Sequence, residues 1–299
     1  MYALDDRTGE LKWSYETGGD VFSSPAVVDG VIYFGAYDGK VYALNAEMGD
    51  LVWSYQTGDG EDEVRSSPAV VDGILYIGSH DYNFYALDAD SGELVWSFET
   101  RSLVSSSPAV VDTMVYFGSW DSVVYALDAG TGELVWSYDT DDSVFSSPAV
   151  VDGVVTIGSD DGNVYALDAK SGDLVWRYET GDNVRCSAAV ADGVVYIGSY
   201  DDKFYALKAE TGEPIWSYET GHWIRSQPVV ANGVVYFGSY DDLFYALDIE
   251  TGALLWSHRC GRTRLLDPSP SRSRRLRRSW SSGSWPSAWR CSTGDTCML

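Results

Sequence analysis

SSPAVVDGVVTIGSDDGNVYALDAKSGDLVWRY, residues 146–178, contains four short apolar runs separated by three turns. Ser146–Val151 reads as a first strand, with Pro148 near its start, where a missing N–H is tolerated. Asp152-Gly153 is a two-residue hairpin turn, because both residues accept positive φ. Val154–Ser159 is a second strand, Val164–Asp168 a third and Asp173–Tyr178 a fourth. Val, Tyr, Ile and Trp dominate these runs, as suits a pleated surface packed on both faces. No 3.6-residue period is present, so helical repeats are excluded.

The same unit recurs along the chain. Tyr-Ala-Leu begins at Tyr2, Tyr42, Tyr85, Tyr125, Tyr165, Tyr205 and Tyr245. A tryptophan follows each by eleven residues, at Trp13, Trp53, Trp96, Trp136, Trp176, Trp216 and Trp256. Successive tryptophans are 40 residues apart except for one interval of 43, which holds the acidic insertion Gly58–Glu63. Four antiparallel strands in about 40 residues describe one blade of a β-propeller. The expected fold is therefore all-β, with about seven four-stranded blades. Six complete units start near Ser23, Ser66, Ser106, Ser146, Cys186 and Ser226, and residues 1–17 supply half a blade.

Closure of such a ring calls for two further strands after Trp256, since pairing the chain ends removes exposed sheet edges. Residues 259–299 are instead Arg/Ser-rich and show no strand alternation. The repeats are accordingly assigned to residues 1–258, incompletely closed, with a disordered or frameshifted basic tail at 259–299. The alternative is a genuine basic tail that docks on the acidic propeller. The opening Met1-Tyr2-Ala3-Leu4 falls in the middle of a repeat, which suggests a truncated or misassigned start.

Charge is distributed unevenly. Residues 257–299 hold nine Arg and two Asp, whereas residues 1–256 carry 11 basic and 43 acidic side chains. A surface that acidic repels phosphates, so nucleic acid and anionic membranes are poor partners. It suits solubility in concentrated salt, and a halophilic source is expected. No stretch approaches 18 apolar residues, and residues 1–20 lack the pattern of a signal peptide. The compartment is not fixed by this reading.

The third turn carries a family resemblance. Ala126-Leu127-Asp128-Ala129-Gly130-Thr131-Gly132-Glu133-Leu134-Val135-Trp136 resembles the tryptophan-docking motif of propellers of the pyrroloquinoline-quinone (PQQ) type. Copies depart from it at Asn45 and Lys208, which replace the Asp, and at Met48, which replaces the Thr. The resemblance implies that each Trp buries its flat face against the neighbouring blade. The same repeat occurs in PQQ-dependent alcohol dehydrogenases, in the propeller lipoprotein of the outer-membrane β-barrel assembly machinery, and in many surface proteins. It favours an extracytoplasmic or cell-surface location.

Candidate site residues come from comparing the copies. The residue leading each first strand falls at the channel mouth: Phe22, Arg65, Ser105, Phe145, Arg185 and Arg225. The second turn on that face supplies one Asp per blade, from Asp38 to Asp241, preceded by a variable residue. Those variable residues are Tyr37, His80, Trp120, Asp160, Tyr200 and Tyr240. An every-blade Asp is expected to cap its turn, whereas residues that vary between blades suit a ligand mouth. The candidate ligand set is Arg65, Arg185, Arg225, His80, Trp120, Tyr200 and Tyr240.

No catalytic constellation and no metal-ligand spacing is present in the sequence. Its three histidines, His80, His222 and His258, are scattered. A PQQ dehydrogenase, by resemblance, would show an adjacent cysteine pair, calcium-binding carboxylates and long insertions, and this chain has none of these patterns. The expected function is a non-catalytic propeller scaffold that binds a protein or a small anionic ligand through its loops and channel mouth, with no cofactor. Two alternatives stand beside it. One is a fragment of a PQQ-dependent dehydrogenase using quinone and calcium, and the other a sensor domain of a larger surface or kinase protein.

Overall fold

The computed structural model describes residues 1–60 and 62–260. The chain forms six four-stranded antiparallel sheets and one two-stranded sheet, each built from consecutive strands. The two-stranded sheet is the N-terminal half blade, β1 (Tyr2–Leu4) and β2 (Leu11–Ser14). Six full blades follow, numbered here one to six from the chain start. The first strands of neighbouring full blades lie side by side around the axis, from Ala26–Val28 to Val229–Ala231. The assignment of residues 259–299 to a tail lies outside the described residues, apart from Arg259 and Cys260. Arg259 closes the last strand, Leu254–Arg259, so that strand ends one residue beyond the expected boundary.

Blade four shows how the sequence builds the unit. Its strands are Ala149–Val151, Val154–Gly158, Asn163–Asp168 and Leu174–Glu179. The first is three residues long, shorter than the run Ser146–Val151 suggested. Pro148 cannot donate to a ladder, and the Ser146 hydroxyl takes over instead, pairing with both the N–H and the C=O of Gly158 at 2.8 Å. At the hairpin, Asp152 has φ 50° and Gly153 φ 77°, the left-handed pair that matches the twist of the flanking strands.

Packing between blades places the core. Between full blades, each cluster joins the second, third and fourth strands of one blade to the entering loop and the second and third strands of the next. Tyr33, Val41, Ala43 and Trp53 of blade one, for example, meet Val64, Leu75, Ile77 and Leu87 of blade two. Six tryptophans clasp the following turn: Trp136 Nε1 donates to the Ala169 carbonyl at 2.9 Å, and Trp13, Trp53, Trp96, Trp176 and Trp216 repeat the contact. The Asp of that turn accepts from the N–H and hydroxyl of the Thr or Ser three residues on, as Asp128 does from Thr131. Asn45 serves as well, accepting from the N–H groups of Glu47 and Met48. Lys208 cannot accept, and its ammonium pairs with Glu213 at 2.6 Å.

Trp256 departs from the docking role expected of all seven. It is 46% exposed, against 7% for Trp136.

Candidate functional site

The Asp ring is architectural. Asp161 Oδ2 accepts from the Tyr165 hydroxyl at 2.7 Å and from the Asp141 N–H at 3.0 Å, tying its turn to the loop entering the same blade. Asp38, Asp121, Asp201 and Asp241 repeat both contacts. Asp81 takes the Tyr85 hydroxyl. Burial first, and the bonded carboxylate second, hold these phenols well above the ordinary tyrosine range.

The variable residues are arranged in a way the copy-by-copy comparison did not reveal. In blades one to four the turn residue meets the lead residue of the next blade. The Arg65 guanidinium lies 4.9 Å from the Tyr37 ring centroid. His80 Nε2 and Ser105 Oγ are 2.8 Å apart, and the Trp120 and Phe145 rings 4.1 Å. Arg185 grips Asp160 with two N–H groups, Nε to Oδ1 at 2.8 Å and Nη2 to Oδ2 at 2.6 Å, and stacks 4.0 Å above Phe145. The partners are 25 residues apart, or 28 across the insertion, and the two variable positions change together. That joint change was the missed signal.

The three arginines therefore do not act as one set. Arg65 Nε donates to Glu63 at 2.6 Å, and Arg185 is held by Asp160. Arg225 has no ion pair among the described residues. Its positive charge acts on Tyr200 and on Tyr37. Beside it Trp223 stacks on Tyr200, centroids 4.7 Å apart and planes within 4°, and keeps 42% of its surface exposed. Tyr240 and His222 complete an aromatic patch around Trp223. Trp223 was not among the sequence candidates. The signal was its place before a buried Val or Ile, where other copies carry Glu63, Leu103, Ser143 and Asn183.

His80 sits under Trp120 with Glu63 3.6 Å from its Nδ1. Burial holds its imidazole below the ordinary histidine range, and the charge of Arg65 adds to that. A histidine kept neutral in the fold stabilises least in acid: as pH falls below about 6.5, the unfolded chain takes up a proton that the folded one refuses. Stability is expected to decline through that window, and the decline should shrink in His80→Gln. Urea midpoints at pH 7.5, 6.5 and 5.5 for both proteins test this.

One oxygen of each ring Asp accepts from a tyrosine hydroxyl, while Asp38 Oδ1 and Asp121 Oδ1 are buried without a hydrogen-bond partner among the described residues. Among the described residues no three His, Cys, Asp or Glu side chains gather as metal ligands. Cys186 is a buried single thiol, pushed up to about 12 by burial.

Comparison with known proteins places the architecture. The family model for outer membrane protein assembly factor BamB matches residues 1–71, 59–188 and 179–277. No curated protein matches the chain. Among solved structures, BamB from Moraxella catarrhalis is 21% identical, with a TM-score of 0.73 over 84% of this chain and 80% of that one. A europium-containing methanol dehydrogenase is 17% identical, with a TM-score of 0.74 over 87% of this chain and 74% of that one. The computationally designed protein Ika8 is 17% identical, with a TM-score of 0.63 over 81% and 88%. Likeness at these identities shows the fold alone. Among the described residues no helix is long and apolar enough to cross a membrane.

Proposed function

The chain belongs to the family of the outer membrane protein assembly factor BamB, a PQQ-like propeller repeat family, and from that premise we propose that it is a non-catalytic scaffold binding a partner through its mouth face. The partner is a carboxylate-bearing group, on a protein segment or a small molecule. One observation carries the reading: Arg225 lacks an ion pair among the described residues, while exposed Trp223, stacked on Tyr200, stands next to it. Charge-assisted N–H donors beside an aromatic face are suited to a planar anion or an acidic peptide. Arg65 and Arg185, by contrast, are spent on holding blades together. The family premise also supports placement outside the cytoplasm or at the cell surface, where such scaffolds meet their partners.

The test is a thermal-shift screen at fixed high salt with aliphatic and aromatic carboxylates, and separately with an Asp/Glu-rich decapeptide. Stabilisation of the parent by at least one probe is expected, with loss in Arg225→Ala and retention in Arg101→Ala. Which arm responds distinguishes small molecule from protein segment. Equal response of parent and Arg225→Ala, or none in either arm, rejects the reading.

A further inference from the structure

Of the pairs that link turn and lead residues in blades one to four, one joins a base to a hydroxyl. Tyr37 meets Arg65, Trp120 meets Phe145 and Asp160 meets Arg185. Between blades two and three the pair is His80 and Ser105, with Nε2 and Oγ 2.8 Å apart. On the other side of the imidazole, Glu63 Oε2 lies 3.6 Å from Nδ1. An ionised carboxylate only accepts, so the proton of the neutral ring belongs on Nδ1, and Nε2 is left as an acceptor for the Ser105 hydroxyl. Hydroxyl, imidazole and carboxylate thus stand in the order that activates a serine.

Backbone bonds fix the three segments against one another. His80 N–H donates to the Glu63 carbonyl and Val104 N–H to the Ser79 carbonyl, both at 3.0 Å. Arg65 Nε donates to Glu63 Oε2 at 2.6 Å and keeps that carboxylate in place. His80 is 8% exposed whereas Ser105 is half-buried, so the hydroxyl is the member that a reagent can reach. A second observation points to a ligand here. The Trp120 ring lies 5.7 Å from that of His80, and its Nε1–H is buried with no hydrogen-bond partner among the described residues. A buried donor of this kind lacks an acceptor, and the oxygen of an incoming carbonyl group is one. We propose that Ser105 is an activated nucleophile that takes an acyl group from an activated ester, with His80 as its base and Glu63 as a positioning residue. Ser105 Oγ bonds to the acyl carbon, and the bond from that carbon to the leaving oxygen breaks. The Oγ proton passes to His80 Nε2 and from there to the leaving oxygen. The step ends on the protein, as a modification and not a turnover, and it is independent of the Arg225 site in blade six.

The probe is p-nitrophenyl acetate added to the full chain, with p-nitrophenolate release followed by absorbance and the acetyl group located by peptide mass spectrometry. The expected result is stoichiometric release with the acetyl group on Ser105, at least about a hundredfold faster than in Ser105→Ala, as a positioned general base provides. Ser105→Ala removes only a hydroxyl, so it serves as the folded reference. His80→Gln should lose a similar factor, with its circular dichroism checked against the parent. The pH profile separates a base from a structural contact. In the parent the rate should fall once His80 takes up a proton, below the ordinary histidine range, where Arg65, Glu63 and Asp81 are the charged groups that act on it. His80→Gln should lose that inflection. Glu63→Gln should move it to lower pH, since the carboxylate favours the protonated ring. Arg225→Ala should react as the parent does, so failure of the carboxylate reading leaves this result intact. Release no faster than in Ser105→Ala, acetyl groups spread over other serines and lysines, an unchanged rate in folded His80→Gln, or an inflection unmoved in Glu63→Gln overturns the proposal.

Discussion

Trp136→Ala is expected to lower stability by about 3–5 kcal/mol, the range for removing a buried aromatic side chain. The indole covers the turn of blade four, donates to the Ala169 carbonyl at 2.9 Å, and packs 5.8 Å from the Tyr116 ring. Its loss opens a cavity and removes one of the two donors to the Ala169 carbonyl, which keeps the Tyr116 hydroxyl at 3.0 Å, so the cavity dominates the cost. The same substitution at Trp256 should cost about 1 kcal/mol or less, as at other surface positions. Denaturant titrations of both variants measure the difference. Equal losses would show that the last blade is covered in solution after all.

Gly172→Ala should cost about 2–5 kcal/mol, from left-handed strain together with overpacking. Gly172 has φ 74°, which an alanine adopts only at a penalty. A Cβ there would also stand 2.7 Å from Cδ2 of Trp136, in the middle of the clasp. Gly153→Ala separates the two contributions, because its φ is 77° but an added Cβ meets nothing within 4 Å. Its expected cost is about 1 kcal/mol, from strain alone. In the double variant Gly172→Ala/Trp136→Ala the clash disappears, so the combined loss should fall short of the sum of the single losses. Additive losses would mean that the ring and the glycine do not touch.

The strand and turn pattern was legible because it depends on local chemistry repeated many times. Asp152-Gly153 marks a hairpin by its backbone freedom alone, and the period of the tryptophans reports the blade. Strand starts were read less well. Ser146-Ser147 looks like strand, but the hydroxyl of Ser146 bonds across to Gly158, and a side-chain bond of that kind is invisible in a one-dimensional pattern. The Ser side chains do more: Ser67 N–H donates to Ser107 Oγ at 2.9 Å, and equivalent bonds link neighbouring blades from one to five.

For the mouth, the sequence alone determined which positions vary between blades and that they share one face, since both follow from the period. It could not determine which of these residues are already engaged. Arg65, Arg185 and Arg225 occupy equivalent positions in the repeat, yet only the tertiary structure sets Asp160 against Arg185 and the Tyr37 ring against Arg65, and leaves Arg225 beside an exposed Trp223. The physical reason is that each repeat closes its contacts with the next, so a side chain's partner lies one blade away, at a distance fixed by the packing of sheets and not by the order of residues within a sheet.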